Sequence, residues 1–579
     1  MIPVKDSQTT NLHGHLRVHH PADHASLAPR AAASAAATTS QQPSILGAFS
    51  RGTKYKRDSL RWKQCTTAVT RYLCKEMVSF KTVEKTTFKE MLATLDKQYE
   101  LPTRKYFSQT AIPNIYNETR ASVVTELKSA SFIALTSDMW SSVNMTPYMS
   151  LTAHYISKDW QLEAKCLATS FVPENQTKDV LADALKVGAQ EWGIEEEKIS
   201  CITTDNGANI IAAVRELKWP WLNCFGHNLN VAINNALDGE KDRTSRAFGV
   251  CRAINGAFSH SWQRKRELSK AQDELQLPNH ALITDCATRW GSKQKMAERI
   301  LEQAAAIKRV FANDRSRRPL PNLTWQDEAV LEAVNKALKP LSDFTDILSG
   351  ENHVTVSSLL PTLQLLKDNV LKEDDDDVRM TSVIKSGVLR ELDNKYDNEA
   401  SLKLMRLSAL LDPRYKGDHI DAVSLDSTRV RLESEMVSFC RRQTTGQVRV
   451  RVEDVETEQP VAPIPPPPPP KKIKPSLGSL LRKAKQPVTL TEEQRANAEV
   501  TAYLQEDALD GDSDPLAWWK ANENRFPLMA KIASKYLCVC ATSSPSERVF
   551  STAGNVVTPL RSLLKPEKVN MLVFLSRNL

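Results

Sequence analysis

Three acidic residues lie where their carboxyl groups could do chemistry together. Asp138 and Asp205 each follow a short apolar run that predicts a β-strand, in ALTSDMW and CITTDNG. If those strands are parallel neighbours, both acids emerge at one edge of a sheet, where ligands commonly collect. Glu547 lies in SPSERVFSTAG, which predicts the start of a helix that buries Val549 and Phe550. We therefore treat the three acids as one candidate site.

Carboxylate oxygens are the ligands that magnesium prefers, and a two-ion site suits in-line phosphodiester chemistry. On this interpretation Asp138, Asp205 and Glu547 bind magnesium or manganese, and their carboxyl groups lie within roughly 10 Å of one another. A plainer interpretation stays open, because an Asp at the end of a strand often caps the following helix. Glu547 could equally be a surface residue or a partner of Arg548. The residues alone do not decide between these alternatives.

The hydrophobic pattern predicts the elements that must position the acids. Runs rich in strand formers predict strands at 131–140, 148–156, 162–172 and 199–205, and a further short strand begins at Trp221. Helical periodicity follows the third, fourth and fifth of these strands, so the pattern indicates a mixed α/β sheet. From about 245 to 445 the pattern is nearly all helical. An acidic turn, KEDDDD, interrupts it.

Composition limits the class of protein. The chain has 579 residues, of which 41% are hydrophobic and 25% charged, and its length predicts several domains. No uncharged apolar run is long enough to span a membrane, so we expect no membrane partner. Ten cysteines without paired spacing are typical of reduced thiols in a cytosolic or nuclear protein. The formal net charge of +8 suits a partner with phosphate groups.

Five motifs occur in order along the chain. They are SDMW, TTDNGANI, CFGHNLN, TRWGS and a C-terminal block from FPLMAKIASKYLCV to VNMLVFLSRN. Together they resemble the hAT transposase superfamily, and more narrowly the zinc finger BED domain-containing group descended from it. The resemblance implies an α/β RNase H-like core interrupted by a large all-α insertion domain, with a helical N-terminal region and a C-terminal hAT dimerisation block. It also implies that Asp138, Asp205 and Glu547 are the family's catalytic acids.

The resemblance assigns further roles. Trp140 corresponds to an aromatic residue that stacks near the transposon end in active relatives, and a core tryptophan is the alternative. Arg289 and Trp290 correspond to an insertion-domain pair that approaches DNA or a flipped base, a role that suits phosphate contact and stacking. Cys224 and His227 form the family's C-x-x-H element. Two such ligands make a poor zinc site, so we interpret this element as structural or DNA-facing.

The segment TTNLHGHLRVHHP resembles the second half of a BED-type zinc finger. His15 and His20 have the H-x4-H spacing of two zinc ligands. The finger also needs a C-x-x-C pair upstream, whereas the first cysteine is Cys65. We therefore expect zinc binding only if a longer form of the protein supplies that pair, as a truncated gene model or an alternative start would explain. A disordered His-rich tail is the alternative.

These features predict seven segments. They are a partial BED-type finger (1–26), a disordered tether (27–54), a helical N-terminal region (55–130), the first part of the RNase H-like core (131–245), the helical insertion (246–442), a disordered Pro-rich linker (443–495) and the C-terminal dimerisation region that completes the core (496–579). The linker contains six consecutive prolines and charged flanks, which cannot bury a core.

The resemblance implies a nuclear, transposase-derived protein that binds double-stranded DNA, forms a homodimer or higher homo-oligomer, and acts in transcriptional regulation. The alternative is an active transposase that cuts and joins transposon ends by metal-dependent phosphodiester transfer. The three acids favour the enzyme, and the incomplete finger favours the regulator. The apolar C-terminal helices, including Trp518 and Trp519, are expected to serve both the core of one chain and a dimer interface.

Overall fold

The computed structural model describes residues 18, 53–286, 290–314, 320–453, 490–558, 561 and 564–579. The chain divides into two compact units, residues 1–114 and 115–579. The described part of the first unit is helical and has its own core around Trp62, Leu73 and Phe107. Its elements are α1 (Leu60–Lys75), a 3₁₀ turn (Phe80–Glu84), α2 (Thr86–Leu95), α3 (Arg104–Tyr106) and a π-turn (Phe107–Ala111), after which α4 (Ile112–Ser129) leads into the second unit.

A mixed five-stranded sheet lies in the second unit, with the strand order β3-β2-β1-β4-β5. Its strands are β1 (Ile133–Ser141), β2 (Pro147–Ile156), β3 (Leu162–Phe171), β4 (Ile199–Thr204) and β5 (Trp221–Asn223). The first three form an antiparallel meander, and β4 and β5 run parallel to β1. The sequence predicted each of these strands, because each is a short run of strand formers bounded by turn residues.

Helices form most of the rest of the second unit. Those that follow the sheet strands are α5 (Lys178–Glu191), α6 (Ala208–Leu217) and α7 (Phe225–Asp238). Those of the helical region are α8 (Lys241–Ser259), α9 (Trp262–Glu274), α10 (Trp290–Glu302), α11 (Ala304–Ala312), α12 (Trp325–Leu338), α13 (Leu341–Leu348), α14 (Leu359–Leu365), α15 (Arg379–Tyr396), α16 (Glu399–Leu411) and α17 (Ala422–Glu453). Those of the C-terminal region are α18 (Glu492–Leu504), α19 (Pro515–Asn522), α20 (Pro527–Leu537), α21 (Ser544–Val556) and α22 (Pro566–Asn578).

The structure differs from the predicted linker at both of its ends. Helix α17 continues to Glu453, and α18 begins at Glu492, although the sequence predicted no stable structure across 443–495. The chain has no proline from 414 to 459, so nothing interrupts α17 as a proline would. Thr491 and Gln494 form a capping box that starts α18. Residues 454–489 lie outside the described residues, as do His15, His20 and most of the tether.

One hydrophobic core runs through the second unit and joins the sheet, the helical region and the C-terminal helices. The C-terminal apolar residues were expected to serve this core and a dimer interface together. Most of them are buried within the single chain, among them Trp519, Phe526, Met529 and Ile532. In the described part of 499–579, every large apolar side chain is buried or half-buried. Trp519 therefore belongs to the core of one chain and not to an exposed interface.

Helix α22 covers the free edge of the sheet. Asn578 Oδ1 accepts a hydrogen bond from Cys166 N (3.1 Å), and Asn570 Oδ1 accepts one from Thr169 N (2.9 Å). Asn578 Nδ2 also donates to Cys166 O (2.7 Å). Polar groups of edge strand β3 are thereby paired within the chain, which protects the sheet from edge-to-edge association. In the described ranges, no helix is both long enough and apolar enough to cross a bilayer.

Candidate active site

Asp138 and Asp205 lie at matching positions on two adjacent parallel strands. The register pairs Thr136 of β1 with Thr203 of β4. Asp138 is two residues beyond Thr136, and Asp205 is two residues beyond Thr203, directly after the last residue of β4. The two strands are thus neighbours and parallel, as the placement of both acids at one sheet edge requires. Asp138 shares a face of the sheet with Thr136, because side chains two residues apart point the same way.

The N-terminus of α21 brings Glu547 to this face. Ser546 Oγ lies 2.7 Å from Thr136 Oγ1, and Glu547 follows Ser546 in the first turn of the helix. Burial is the main cause that raises the pKa of Asp138 to about 7, and the negative charges of Asp205 and Glu547 raise it further. The three acids therefore share one electrostatic environment, although Glu547 is far from the two Asp residues in the sequence.

Two backbone hydrogen bonds hold the Asp carboxyl groups. Asp138 Oδ1 accepts from Met139 N (2.8 Å), and Asp205 Oδ1 accepts from Gly207 N (3.2 Å). Gly207 is the N-cap residue just before α6, so Asp205 stabilises the turn that leads into that helix. Asp205 does not itself cap α6, because Gly207 occupies the N-cap position without a side-chain cap.

A chain of buried polar groups fixes α21 on the sheet. The chain begins at Ser546 Oγ, which contacts Thr136 Oγ1. Thr136 Oγ1 lies 2.6 Å from Thr152 Oγ1, and Thr152 Oγ1 lies 2.8 Å from His154 Nε2. All four side chains are at most 3% exposed. Burial lowers the pKa of His154 to about 4, so its ring is neutral at physiological pH. Sequence reasoning did not find this chain, although small hydroxyl residues precede both Asp residues.

Arg548, the neighbour of Glu547, is directed to a different acid. Its Nη1 lies 3.1 Å from Glu351 Oε1, and its Nη2 donates to Ser349 O (2.8 Å). Glu351 also pairs with Arg577 of α22 at 2.8 Å. These ion pairs tie α21 and α22 to the loop after α13. The structure therefore does not favour the alternative in which Arg548 is the ion-pair partner of Glu547, because Arg548 pairs with Glu351.

Cys224 is a structural residue. It caps α7, and its Sγ accepts hydrogen bonds from His227 N (3.4 Å) and Ser543 N (3.2 Å). Burial raises the pKa of the Cys224 thiol, which keeps it protonated and unsuited to metal binding. Because Ser543 is the residue just before α21, this thiol also helps to place the helix that carries Glu547. His227 is half-buried.

The acids suit magnesium in their chemistry, but they do not form a closed ligand set. Among the described residues, no group of three or more His, Cys, Asp or Glu side chains is arranged to hold a metal ion. A divalent cation would relieve the repulsion that contributes to the raised pKa of Asp138. Asp138, Asp205 and Glu547 are the residues that would hold it, and the ion would supply charge neutralisation at a phosphodiester.

Comparison with known protein families finds three matching regions. Residues 136–222 match the ZBED1 RNase-like domain, and residues 222–337 match the ZBED1 RNase-like helical domain. Residues 499–579 match the hAT family C-terminal dimerisation region. The chain is thus similar to ZBED1 in its RNase-like and helical domains and to the hAT family in its C-terminal region. The RNase-like match runs from Thr136 in β1 to Leu222 in β5, and the hAT C-terminal match contains Glu547.

Individual relatives agree with these matches. Human zinc finger BED domain-containing protein 4 is 25% identical over 89% of this chain and 44% of its own length. Mouse zinc finger BED domain-containing protein 6 is 23% identical over 89% of this chain and 55% of its own length. The maize putative AC transposase is 24% identical over 85% of this chain and 62% of its own length. The chain thus spans about half the length of the curated relatives it matches.

The aromatic residues with hAT-based roles lie in different surroundings. Trp140 is half-buried, and its ring stacks on Phe550 of α21 with centroids 5.6 Å apart. Trp290 is 5% exposed and belongs to the main core. Its ring is therefore not placed to stack on a base in this structure, contrary to the expectation from the sequence. Arg289 lies outside the described residues.

The raised pKa of Asp138 predicts a pH-dependent effect on stability. Between about pH 4 and pH 7, the folded chain keeps this carboxyl protonated while the unfolded chain ionises it, so its contribution to stability is lost as the pH rises through 7. Asp138→Asn removes the charge and should raise the unfolding temperature by a few degrees at pH 8 but hardly at pH 4. Calorimetry at both pH values measures this, with exposed Asp159→Asn as the control. An equal increase in the unfolding temperature at both pH values would contradict this prediction.

Proposed function

We propose that this chain is a hAT transposase-derived, DNA-binding protein of the nucleus that dimerises and acts in transcriptional regulation. The observation that carries the proposal is the ordered match to an RNase-like domain, its helical domain and a hAT dimerisation region, in a chain whose relatives include zinc finger BED proteins. The formal net charge of +8 supports a partner with phosphate groups.

The proposed architecture is an RNase H-like core interrupted by an all-α insertion domain. The core would comprise residues 131–245, which contain the five strands, and residues 496–579, which contain α21 and α22. The insertion would comprise the helices of residues 246–442. Two observations support this. Ser546 of α21 and Asn570 of α22 make hydrogen bonds to the sheet, and the regular elements in the described part of 241–453 are helical.

DNA binding is tested directly with the full chain and fluorescently labelled duplex DNA. We expect anisotropy to show binding that weakens as salt increases, because each neutralised phosphate releases counterions, with a slope of about −0.9 per contact on a log–log plot. An affinity that salt does not change would indicate that phosphates are not contacted. No binding at low salt would overturn the DNA-binding part of the proposal.

Dimerisation through residues 499–579 is tested by light scattering. We expect a mass about twice the 64.8 kDa of one chain at micromolar concentration. Substitution of Trp519 cannot serve as the interface probe, because that side chain is 0% exposed within one chain. Half-buried Trp518 and Leu528 are better probes, since they pack against the core from its surface. A mass of one chain across the whole concentration range would overturn the dimer.

An active transposase is the second candidate. It is supported by the matching positions of Asp138 and Asp205 on two parallel strands and by the effect of the Asp205 and Glu547 charges on Asp138. The test is cleavage of labelled DNA by the full chain with magnesium or manganese, with Glu547→Gln as the matched control that keeps the size of the side chain and removes its charge. Metal-dependent cleavage that Glu547→Gln removes would establish the enzyme. DNA binding without cleavage in the presence of either metal would favour the regulatory protein over the enzyme. Terminal inverted repeats and a duplicated target site beside the gene would independently favour mobility.

A further inference from the structure

Trp262 is a tryptophan on the surface of the helical region. Of the eleven tryptophans in the chain, only Trp262 and Trp325 are exposed, by 68% and 74%, and the other nine are buried or half-buried. Trp262 is the first residue of α9, which begins WQRKRELSK. Covering a large aromatic side chain with a partner is favourable in free energy, so an exposed tryptophan indicates a contact surface.

Basic residues follow Trp262 along the same helix. Arg266 lies one helical turn after Trp262, and its guanidinium carbon is 5.2 Å from the centre of the indole ring. Lys265 and Lys270 are exposed on the same helix. The acidic residue among them is Glu267, which pairs with Arg266 at 2.9 Å and with Lys270 at 3.3 Å. Three basic side chains and one acidic side chain leave an excess of two positive charges.

Helix α9 holds this surface in a fixed position. Ser261 caps its N-terminus, and Leu268 and Ala271 are buried in the main core. Arg264, on another side of the helix, pairs with Asp314 at 2.7 Å. The residues that anchor α9 are therefore different from the exposed ones, so the exposed residues can be changed without unfolding the helix. We name Trp262, Lys265, Arg266 and Lys270 the α9 patch.

We propose that the α9 patch binds an unpaired segment of DNA, with a base stacked on Trp262 and phosphates contacted by the three basic side chains. Exposed aromatic rings within positively charged surfaces are how proteins hold single strands, because every base has a face that can stack. A duplex offers phosphates but keeps its bases stacked on each other, and an acidic peptide offers charge without bases. The proposal rests on the DNA binding proposed above and gives it a second contact surface, apart from the acids.

The test uses the full chain and two labelled probes, a DNA duplex with a single-stranded thymidine tail and the same duplex with blunt ends. Trp262→Ala should weaken binding to the tailed duplex about 10-fold, within the range of one lost base–aromatic stack, and leave the blunt duplex within about 2-fold. The double variant Lys265→Glu, Arg266→Glu should reduce the salt slope for the tailed duplex by about 1.4, because two phosphate contacts are lost.

Two controls match these variants. Trp325→Ala removes the other exposed tryptophan, and Lys158→Glu with Lys186→Glu makes the same change of charge at exposed positions outside the helical region. Both should leave binding to the tailed duplex unchanged.

Four results would overturn the site. If both patch variants bind the tailed duplex as the wild type does, the α9 patch is not a DNA-binding site, and the proposed DNA-binding function of the chain still stands. An equal loss on tailed and blunt DNA would contradict the unpaired segment. If Trp262→Ala weakens binding to a polyglutamate peptide as much as binding to the tailed duplex, the patch binds an acidic protein partner instead. Failure of the wild-type chain to bind either probe would remove the proposed function and this site together.

Discussion

Trp519→Ala is expected to lower the free energy of unfolding by about 3–5 kcal/mol, as large truncations in a packed core do. The side chain is 0% exposed. Its ring stacks on Tyr503 (centroids 5.6 Å apart) and on Trp160 (6.1 Å), and its Nε1 donates to Leu411 O (2.9 Å). The substitution therefore leaves a cavity and an unpaired carbonyl where α16, α18, α19 and the β2–β3 turn meet.

Thermal and urea unfolding of the full chain, followed by circular dichroism, measures this loss. The matched control is Trp325→Ala, which removes an exposed ring and should change the free energy of unfolding by less than about 0.5 kcal/mol. Light scattering is recorded on the same samples. A Trp519 variant that keeps its stability but loses its dimer would show that this side chain acts at an interface and not in the core.

Lys385→Met is expected to cost about 3 kcal/mol at pH 7, because it leaves a buried carboxylate with too little positive charge. Asp377 Oδ2 lies 2.6 Å from Lys385 Nζ, and the two side chains are 0% and 8% exposed. Burial opposes the charge on Asp377, but hydrogen bonds from Lys336 and Lys385 outweigh it and lower its pKa to about 2. The Lys385 ion pair therefore holds the loop before α15 against that helix, and the Lys336 ion pair ties the same loop to α12.

The effect of Lys385→Met should depend on pH. A depressed carboxyl pKa contributes stability above its unfolded value of about 4, and this stability is lost as the pH falls towards 2. The difference in the free energy of unfolding between wild type and variant should therefore shrink as the pH falls from about 4 towards 2. Unfolding curves recorded at several pH values measure it. Lys336→Met, whose side chain is 44% exposed, should cost under about 1 kcal/mol. A pH-independent difference would show that lost packing, not charge, causes the effect.

The sequence determined the local elements. Strands such as ISCITT and helices such as KDVLADALKVGAQE have the period of their own secondary structure, and the adjacent Thr177 caps that helix. Both Asp residues of the candidate site follow apolar strands, so their place at strand ends was readable from neighbouring residues. These features depend on contacts within a few residues, which hydrophobic periodicity and capping preferences record.

Only the tertiary structure decided which residues face the candidate site and which are buried. The sequence showed KEDDDD as an acidic turn, whereas the fold buries Asp377 between two lysines. Trp290 was expected at a DNA surface and lies in the core, whereas Trp262 is exposed. The polar chain from Ser546 to His154 joins residues hundreds of positions apart. Such contacts depend on strand register and helix packing, and a single sequence records neither in its local pattern.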